Sequence, residues 1–504
     1  MFLLVLGLSL PARVIKVNDY GAIPSDTLDD TPEIKLAIAD LQDGDTLLFG
    51  SGTYYISGPL PNADFDPDVD NRIMNFISIS DLSIIGNNTR LLGKQWGTVM
   101  AFFRCHNLLI EGFTIDWIKD QSPHSAGKVK TIGSDYIDVD LEFPNIVRAN
   151  LPADVIFNSY PYGGAPSRPA YGGYFIPNQD PRETVRLSST RMRVFVDGHR
   201  IGDISLNDRV VILHQKHGMN ITQYYSCDGI RIKNVTIHGG GGLGAYAVGC
   251  SDIDIDGLVI KPNAVDGAFV SSTAASTRFF SCRGSYHVRN SEYRNTGDDG
   301  INLHTEYFQI SNMAGSQNFK LSRPDGGIPS IHRMPRVGDA LEVGAELENS
   351  LAPSGTVTIS SISENGNFYD ISTSNPLPAG VGNGDLAINI SAIPDTVSIT
   401  NLKCVANRGR GIIFRARRAS IQNCSFSFIS GPGVLLGPQV DYYYEGPGVE
   451  NVSIKNCVFS RCNLGHASEQ GMLSLVGHLK AGFGDSPGGV VNNISVEDLS
   501  LIHI

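Results

Sequence analysis

Several features are scarce in this 504-residue chain, and each scarcity excludes something. Charged residues make up only 18%, and no long basic run stands among them. With a formal net charge of -12, nucleic acid and anionic membranes are poor partners. No run of 18 apolar residues exists, so no membrane-spanning helix is expected. The eight cysteines contain no CxxC pair, which leaves a zinc site without support. Several (Cys404, Cys424, Cys457) fall on apolar strand positions, where cysteine acts as a small buried hydrophobe. The nearest pair, Cys457 and Cys462, leaves a disulfide open, because spacing does not determine connectivity.

What is plentiful is glycine, 55 residues, with Asn, Ser and Thr throughout and 41% apolar residues. This suits short strands and many turns around a large core. The first twelve residues, "MFLLVLGLSLPA", form an apolar run ending in a small residue. They read as the remnant of a signal peptide that lacks a basic start, so secretion is expected. Sequons such as Asn220-Ile221-Thr222 and Asn451-Val452-Ser453 agree with that reading.

A repeat runs through the chain. "DLSIIGNN", "NLLIEGFTI", "GIRIKNVTI", "DIDIDGLVI", "SYHVRNSEY", "TVSITNLKC", "ASIQNCSF", "NVSIKNCVF" and "NISVEDLSL" share an apolar anchor. The anchors are Ile84, Ile110, Ile232, Ile255, Val288, Ile399, Ile421, Ile454 and Val496. Two residues past each stands Gly, Asn or Asp, the residues that tolerate left-handed backbone. Each unit thus reads as a strand, a one-residue bend and a second strand. From Ile232 to Val288 and from Ile399 to Ile454 the anchors recur after 22, 23 or 33 residues with no helical pattern between, as in coils of a parallel β-helix. An antiparallel sandwich would need hairpin turns instead of one recurring bend.

Two stretches, 119–225 and 311–395, break the repeat but alternate apolar and polar residues. They are expected to be inserted β-barrel-like domains, since unstructured loops of that length are rare. They separate β-helix segments at 13–118, 226–310 and 396–504.

A β-helix face suits an extended or branched sugar. Neighbouring strands lie about 4.8 Å apart, so acids on adjacent coils can reach the separation used by inverting glycosidases. In "NTGDDGINLHTEY", Asp298 and Asp299 close the coil built on Val288. Asp266, in "AVDGAF", follows its own anchor by a similar interval and is expected beside them. Asp-Gly is also ordinary turn chemistry. Three clustered acids would repel, raising one pKa and keeping a proton for donation. They could also hold calcium, and Arg408, Arg410, Arg415, Arg417 and Arg418 on later coils leave a lyase base open.

The first of two resemblances concerns the fold. "VNDYGAIPSDTLDDTPEIKLAIADL" resembles the start of the pectate-lyase-like right-handed β-helix superfamily. Thr31 as N-cap and Pro32 as first helical residue would begin a short helix capping the open end of the solenoid. The expected fold is therefore all-β: a right-handed parallel β-helix with a short N-terminal capping helix and two inserted β-barrel-like domains.

The second resemblance concerns activity. "DGAF…SCRGSYHVRNSEYRNTGDDGINLH", "NRGRGIIFRARRASIQNCSF" and "GPGVLLGPQVDYYYEGPGVENVSIKNCVF" resemble glycoside hydrolase family 110. The match runs from about Ile230 to Cys462. It implies a secreted, inverting exo-α-1,3-galactosidase that needs no metal or other cofactor and acts on an oligosaccharide or polysaccharide. By the same resemblance Asp298 is the general acid, and Asp266 and Asp299 are the carboxylates that activate water. His304, Asn302, Arg410, Tyr443, Tyr444 and Glu445 would contact the sugar. The chain departs from the family at "SSTAASTRFF", at His304-Thr305 and at "DYYYE", which bears on sugar specificity. A homodimer is left open. The competing expectations are a polygalacturonase-like hydrolase, a calcium-dependent polysaccharide lyase and a non-catalytic β-helix glycan-binding protein.

Overall fold

The computed structural model describes residues 12–58, 72–143, 154–158, 175–176, 184–196, 201, 204–214, 219–324, 335–344, 353–463, 471–479, 482–483 and 491–502. The expected signal-peptide remnant lies outside the described residues, Ala12 excepted.

The nine anchors form one unbroken parallel ladder. Ile84 pairs with Ile110, Ile110 with Ile232, Ile232 with Ile255 and Ile255 with Val288. The line continues through Ile399, Ile421 and Ile454 to Val496. It extends back through Leu47 to Ile15. Branched aliphatic side chains thus stack coil on coil. All of these anchors through Ile454 are buried in a single elongated core.

The bend residues explain why each coil turns where it does. Gly112, Asn234, Gly257, Asn290, Asn401, Asn423, Asn456 and Asp498 all have left-handed φ between 51° and 82°. Side chains on this edge also bond one another: Asn401 Nδ2 donates to Asn290 Oδ1 at 3.1 Å, and Asn290 Nδ2 to Asp256 Oδ1 at 2.8 Å. Gly86 is the exception. There the ladder shifts between Ile85 and Thr89, and Asn88 (φ 58°) takes the bend instead.

After the second short strand of each coil the chain crosses to another parallel sheet. Its rungs include Thr98–Phe103, Thr222–Tyr225, Ala245–Val248, Thr277–Phe280, Ile301–Ser311, Ile412–Phe414 and Val434–Leu436. The crossing segments between the two sheets carry the candidate acids. The architecture is a right-handed parallel β-helix.

The helix Thr31–Ala39 closes the N-terminal end and buries Ile34 and Ala37 in the main core. Its start differs by one residue from the expectation. Asp30 precedes the helix and Thr31 is already helical. Asp29 Oδ1 accepts the Thr31 N–H at 3.1 Å, while Asp30 is drawn away to accept the N–H groups of Ile23 and Tyr55.

Within 119–225 the described strands from His124–Ile132 to Arg209–Leu213 form a seven-stranded antiparallel sheet, whereas Thr222–Tyr225 already belongs to the β-helix. The seven-stranded sheet has its own core around Ile137, Val139, Met192, Val194 and Val210, and among the described residues it is open. The second inserted unit begins on the β-helix itself. Strand Ile301–Ser311 starts as a coil rung and runs on into an antiparallel ring. The ring passes through Asn318–Ser322, Phe368–Thr373, Gly355–Asn365, Ala340–Gly344 and Leu386–Asn389 before returning to it. This ring is a closed six-stranded barrel, filled by Phe308, Phe319, Leu341, Val357 and Tyr369.

All eight cysteines are buried and free, Cys457 and Cys462 included. Cys105, Cys227, Cys250 and Cys282 fall on successive coils as small core residues.

Candidate active site

Coil stacking shapes the turn that carries Asp298 and Asp299. The neighbouring backbone leaves no room for side chains at its glycines. A Cβ on Gly297 would lie 2.3 Å from the Thr273 carbonyl oxygen, and one on Gly300 2.4 Å from that of Gly411. The glycines flanking the acids therefore serve close packing between coils; neither has a positive φ. On the next coil a Cβ on Gly409 would lie 2.3 Å from Asp299 Oδ1. That missing side chain is what lets Asp299 reach the following backbone.

The two acids differ sharply. Asp299 is buried, with 2% exposure. Its Oδ1 accepts the Arg410 N–H at 2.8 Å, and its Oδ2 accepts Asn302 Nδ2 at 3.3 Å. Asp298 keeps 24% of its side chain exposed and accepts Arg408 Nη2 at 3.1 Å. Arg408 Nε also donates to the Gly297 carbonyl. The Asn302 amide oxygen is buried without a partner among the described residues, so it is an acceptor available to an incoming hydroxyl.

The outer face of the sheet supplies the next residues. Tyr246, Arg278 and Asn302 are directly paired positions on three consecutive rungs, and all three are half-buried. Arg278 Nε donates to His304 Nε2 at 3.0 Å, and its Nη2 donates to Glu445 Oε1 at 3.2 Å. Burial works against the Arg278 charge, but Tyr246, Glu445, Asp298 and Asp299 favour it more, so its pKa is raised. His304 is fully enclosed on strand Ile301–Ser311, its ring 4.5 Å from that of Phe280. Burial, with Arg278 and Arg415 adding to it, lowers its pKa to about 3 against the pull of Glu445. The ring is therefore neutral at ordinary pH. Because Nε2 accepts from Arg278, the proton sits on Nδ1, which faces the Thr305 carbonyl at 3.4 Å.

Glu445 forms the opposite wall. It lies on the short strand Glu445–Gly446, which pairs with Thr305 and Glu306. Burial alone would raise its pKa. His304, Arg415, Arg278 and Arg410 outweigh that and bring it to about 2. Arg415 Nη1 contacts Glu445 Oε2 directly, and Arg415 Nη2 donates to Gln439 Oε1 at 3.0 Å. Glu445 is thus an ionised, fully bonded carboxylate that orients arginines.

Tyr443 is 59% exposed. Its phenol pKa is raised, first by burial and then by Glu445, Tyr442 and Asp298, with Arg410 opposing. Tyr444 instead packs against a cluster containing Tyr307, Leu386 and Ile388. This is the strand-packing use of the residue.

Asp266 is placed elsewhere. The register reading expected it beside the acid pair. Backbone bonds from Ser271 to Asn295, from Gly297 to Ser272 and from Ser276 to Asp299 put Thr273–Ala275 against the pair. Asp266 lies in an excursion after Ile260, where its Oδ2 accepts Asn263 Nδ2 at 2.8 Å. Asn263 Nδ2 also donates to Asp116 Oδ2 at 2.9 Å. The cleft that Asp266 lines includes Asp116, Trp117, His124 and His238, and neither Asp298 nor Asp299.

The structure therefore brings together Asp298, Asp299, Asn302, His304, Arg410, Tyr443 and Glu445. Arg278 was missed by sequence reasoning. Its signal was its place one rung before Asn302 on the same strand face. Among the described residues, no group of three or more His, Cys, Asp or Glu side chains is arranged to hold a metal ion.

No protein-family model matches the chain. Curated relatives do. A protein from Shewanella woodyi named alpha-1,3-galactosidase A is 20% identical over 489 residues, covering 92% of this chain and 78% of the relative. Proteins named alpha-1,3-galactosidase B from Bacteroides thetaiotaomicron and Phocaeicola vulgatus are 23% and 24% identical, each over 88% of this chain. They are covered to 75% and 78% of their own lengths. A solved family 28 exopolygalacturonase from Yersinia enterocolitica aligns with 98% of this chain and 79% of its own, at a TM-score of 0.33 and 11% identity, too remote to inform the chemistry. Along about nine-tenths of its length, the chain is a distant relative of curated proteins that carry the name alpha-1,3-galactosidase.

Proposed function

We propose that this chain is an exo-glycosidase that removes a terminal α-linked galactose, with α-1,3 as the linkage, and inverts the anomeric centre. The observation that carries the reading is the pairing of an open carboxylate, Asp298, with a buried one, Asp299, on a single turn. The names of the relatives support the substrate class.

On this reading Asp298 protonates the departing glycosidic oxygen. Asp299 is the ionised partner that activates water. One carboxyl open to solvent and one buried on the same turn suit a proton donor and a base acting on one sugar ring. Arg408 holds Asp298 before substrate arrives, so productive binding must separate the two. Asn302, with its unpaired amide oxygen, and Arg410 contact the sugar hydroxyls. Arg278 and His304 fix the floor on which the ring rests.

The test is proton NMR of the first-formed galactose from an α-1,3-linked disaccharide, together with Asp298→Asn. The expected result is initial β-galactose and a rate loss of about 10³-fold or more in the variant. Initial α-galactose, or undiminished turnover in Asp298→Asn, overturns the mechanism.

A further inference from the structure

Next to the site stands a short hairpin whose tip the catalytic reading leaves unused. Gln439 and Glu445 close it with reciprocal backbone bonds, each 2.8 Å. Between them Val440 is fully buried and Tyr444 packs into the same apolar cluster as Tyr307 and Leu386. Tyr444 adopts a left-handed φ of 53°, which turns the chain so that the residues before it project outward. Both ends of the tip are thus pinned.

The tip itself is exposed. Tyr442 is 71% and Tyr443 59% accessible. Their rings meet edge to face, with centroids 4.8 Å apart and planes at 87°. Two adjacent tyrosines held out in water on an anchored hairpin bury little of their own apolar surface. Such rings are the usual amphipathic platform for a partner with both apolar and hydroxyl faces. Tyr443 stands two residues before Glu445, whose carboxylate bonds Arg278 and contacts Arg415 and His304 in the site. The tip therefore rises from that wall of the site.

We infer that Tyr442 and Tyr443 form the leaving-group subsite, a stacking surface for the sugar from which the terminal galactose is cut. The inference rests on the glycosidase reading. A pyranose offers a C–H face to one ring, while its outer hydroxyls stay in water. The rings are pre-positioned by the pinned hairpin, so little ordering cost accompanies binding. The galactose itself is held deeper, by Asn302 and Arg410, and does not depend on them.

Two substrates separate the roles. An α-galactosyl disaccharide carries a sugar leaving group; α-galactosyl fluoride carries none. In Tyr442→Ala, kcat/KM for the disaccharide is expected to fall about 10-fold, mostly through KM, while that for the fluoride stays within about twofold. Tyr442→Phe keeps the ring and is expected to restore most of the disaccharide activity. Equal losses on both substrates, or no loss on either, overturn the platform. If the wild-type protein hydrolyses neither substrate, it is the glycosidase reading that fails. Unchanged thermal unfolding of the alanine variant checks that the hairpin is intact.

Discussion

At one wall of the site Asp298 stands a quarter exposed beside one arginine side chain; at the other Glu445 is enclosed by His304, Arg278 and Arg415. Both are carboxylates in the same groove, yet their surroundings suit opposite tasks. Glu445 is held at a pKa of about 2 and does not exchange a proton at any working pH. Asp298 keeps contact with solvent. The difference teaches that acid chemistry and charge organisation are divided between the two walls, one open and one locked.

The strongest way to break this division is Glu445→Gln. It leaves Arg278 and Arg415 beside each other without their shared counter-charge. Removing one partner of a buried pair costs about 3–5 kcal/mol, so urea unfolding should show a loss of that order. Activity should fall with it, because Arg278 would no longer be aimed. If the variant does not fold, Glu445→Asp keeps the charge and should retain most stability with reduced turnover. An unaltered unfolding midpoint in Glu445→Gln would mean the locked wall is not what holds the arginines.

Acidification probes the same wall without mutation. The Glu445 carboxyl is depressed from 4.5 to about 2, so its contribution is fully present above the unfolded value and is lost as pH falls from about 4.5 towards 2. A difference of that size is worth about 3 kcal/mol. His304 acts in the same direction. Its pKa is depressed from 6.5 to about 3, so the unfolded chain takes up that proton first and stability declines as pH drops below about 6.5. The two groups are in contact, so the two steps belong to the pair. The melting temperature should therefore fall gently from pH 6.5 and steeply below about 4.5. A flat profile between pH 6 and 3 would contradict a neutral, enclosed His304.

The open wall can be sharpened at Gly409. A methyl there would sit 2.3 Å from Asp299 Oδ1 and 2.8 Å from the Asp298 backbone. Gly409→Ala should displace the acid pair and lower kcat about 10- to 100-fold. It should cost about 1–3 kcal/mol of stability, in the range of overpacking. Wild-type kinetics would show that the turn tolerates movement and that coil stacking does not set the acids.

Much of this architecture was legible in the sequence because a solenoid writes its register into its repeat. Branched anchors followed by Gly, Asn or Asp marked the ladder from Ile84 to Val496, and those side chains pair in that order. Gly86 was misread as a bend because the anchor pattern carries no sign of a register shift; Asn88 two residues later bears the left-handed φ. The acid pair was found for an incomplete reason. Asp-Gly suggested a turn, but the glycines matter through the neighbouring coils at Thr273 and Gly411, which lie far from them in sequence. Arg278 and Arg415 were invisible as a pair because Glu445, which joins them, comes 167 residues after one and 30 after the other.

Asp266 is where counting residues from an anchor went astray, and its substitution has the smallest expected effect. The interval from Ile255 to Asp266 resembles that from Val288 to Asp298 only if both coils cross between sheets by equal paths. They do not: the path after Ile260 makes an excursion before Ser271 meets Asn295, and the residues that face the acid pair are Thr273, Ala274 and Ala275. Asp266 instead shares Asn263 with Asp116, whose Oδ2 also accepts Arg90 Nη2 at 2.8 Å. Asp266→Asn keeps the shape of the side chain and removes the charge from that surface relay. Its expected outcome is kcat/KM within about fivefold of wild type, against the roughly 10³-fold loss for Asp298→Asn. A loss as large as that of Asp298→Asn would place Asp266 in the reaction after all. It would also mean that the 261–270 segment closes over the site when a sugar is bound, bringing a third carboxylate to the open wall.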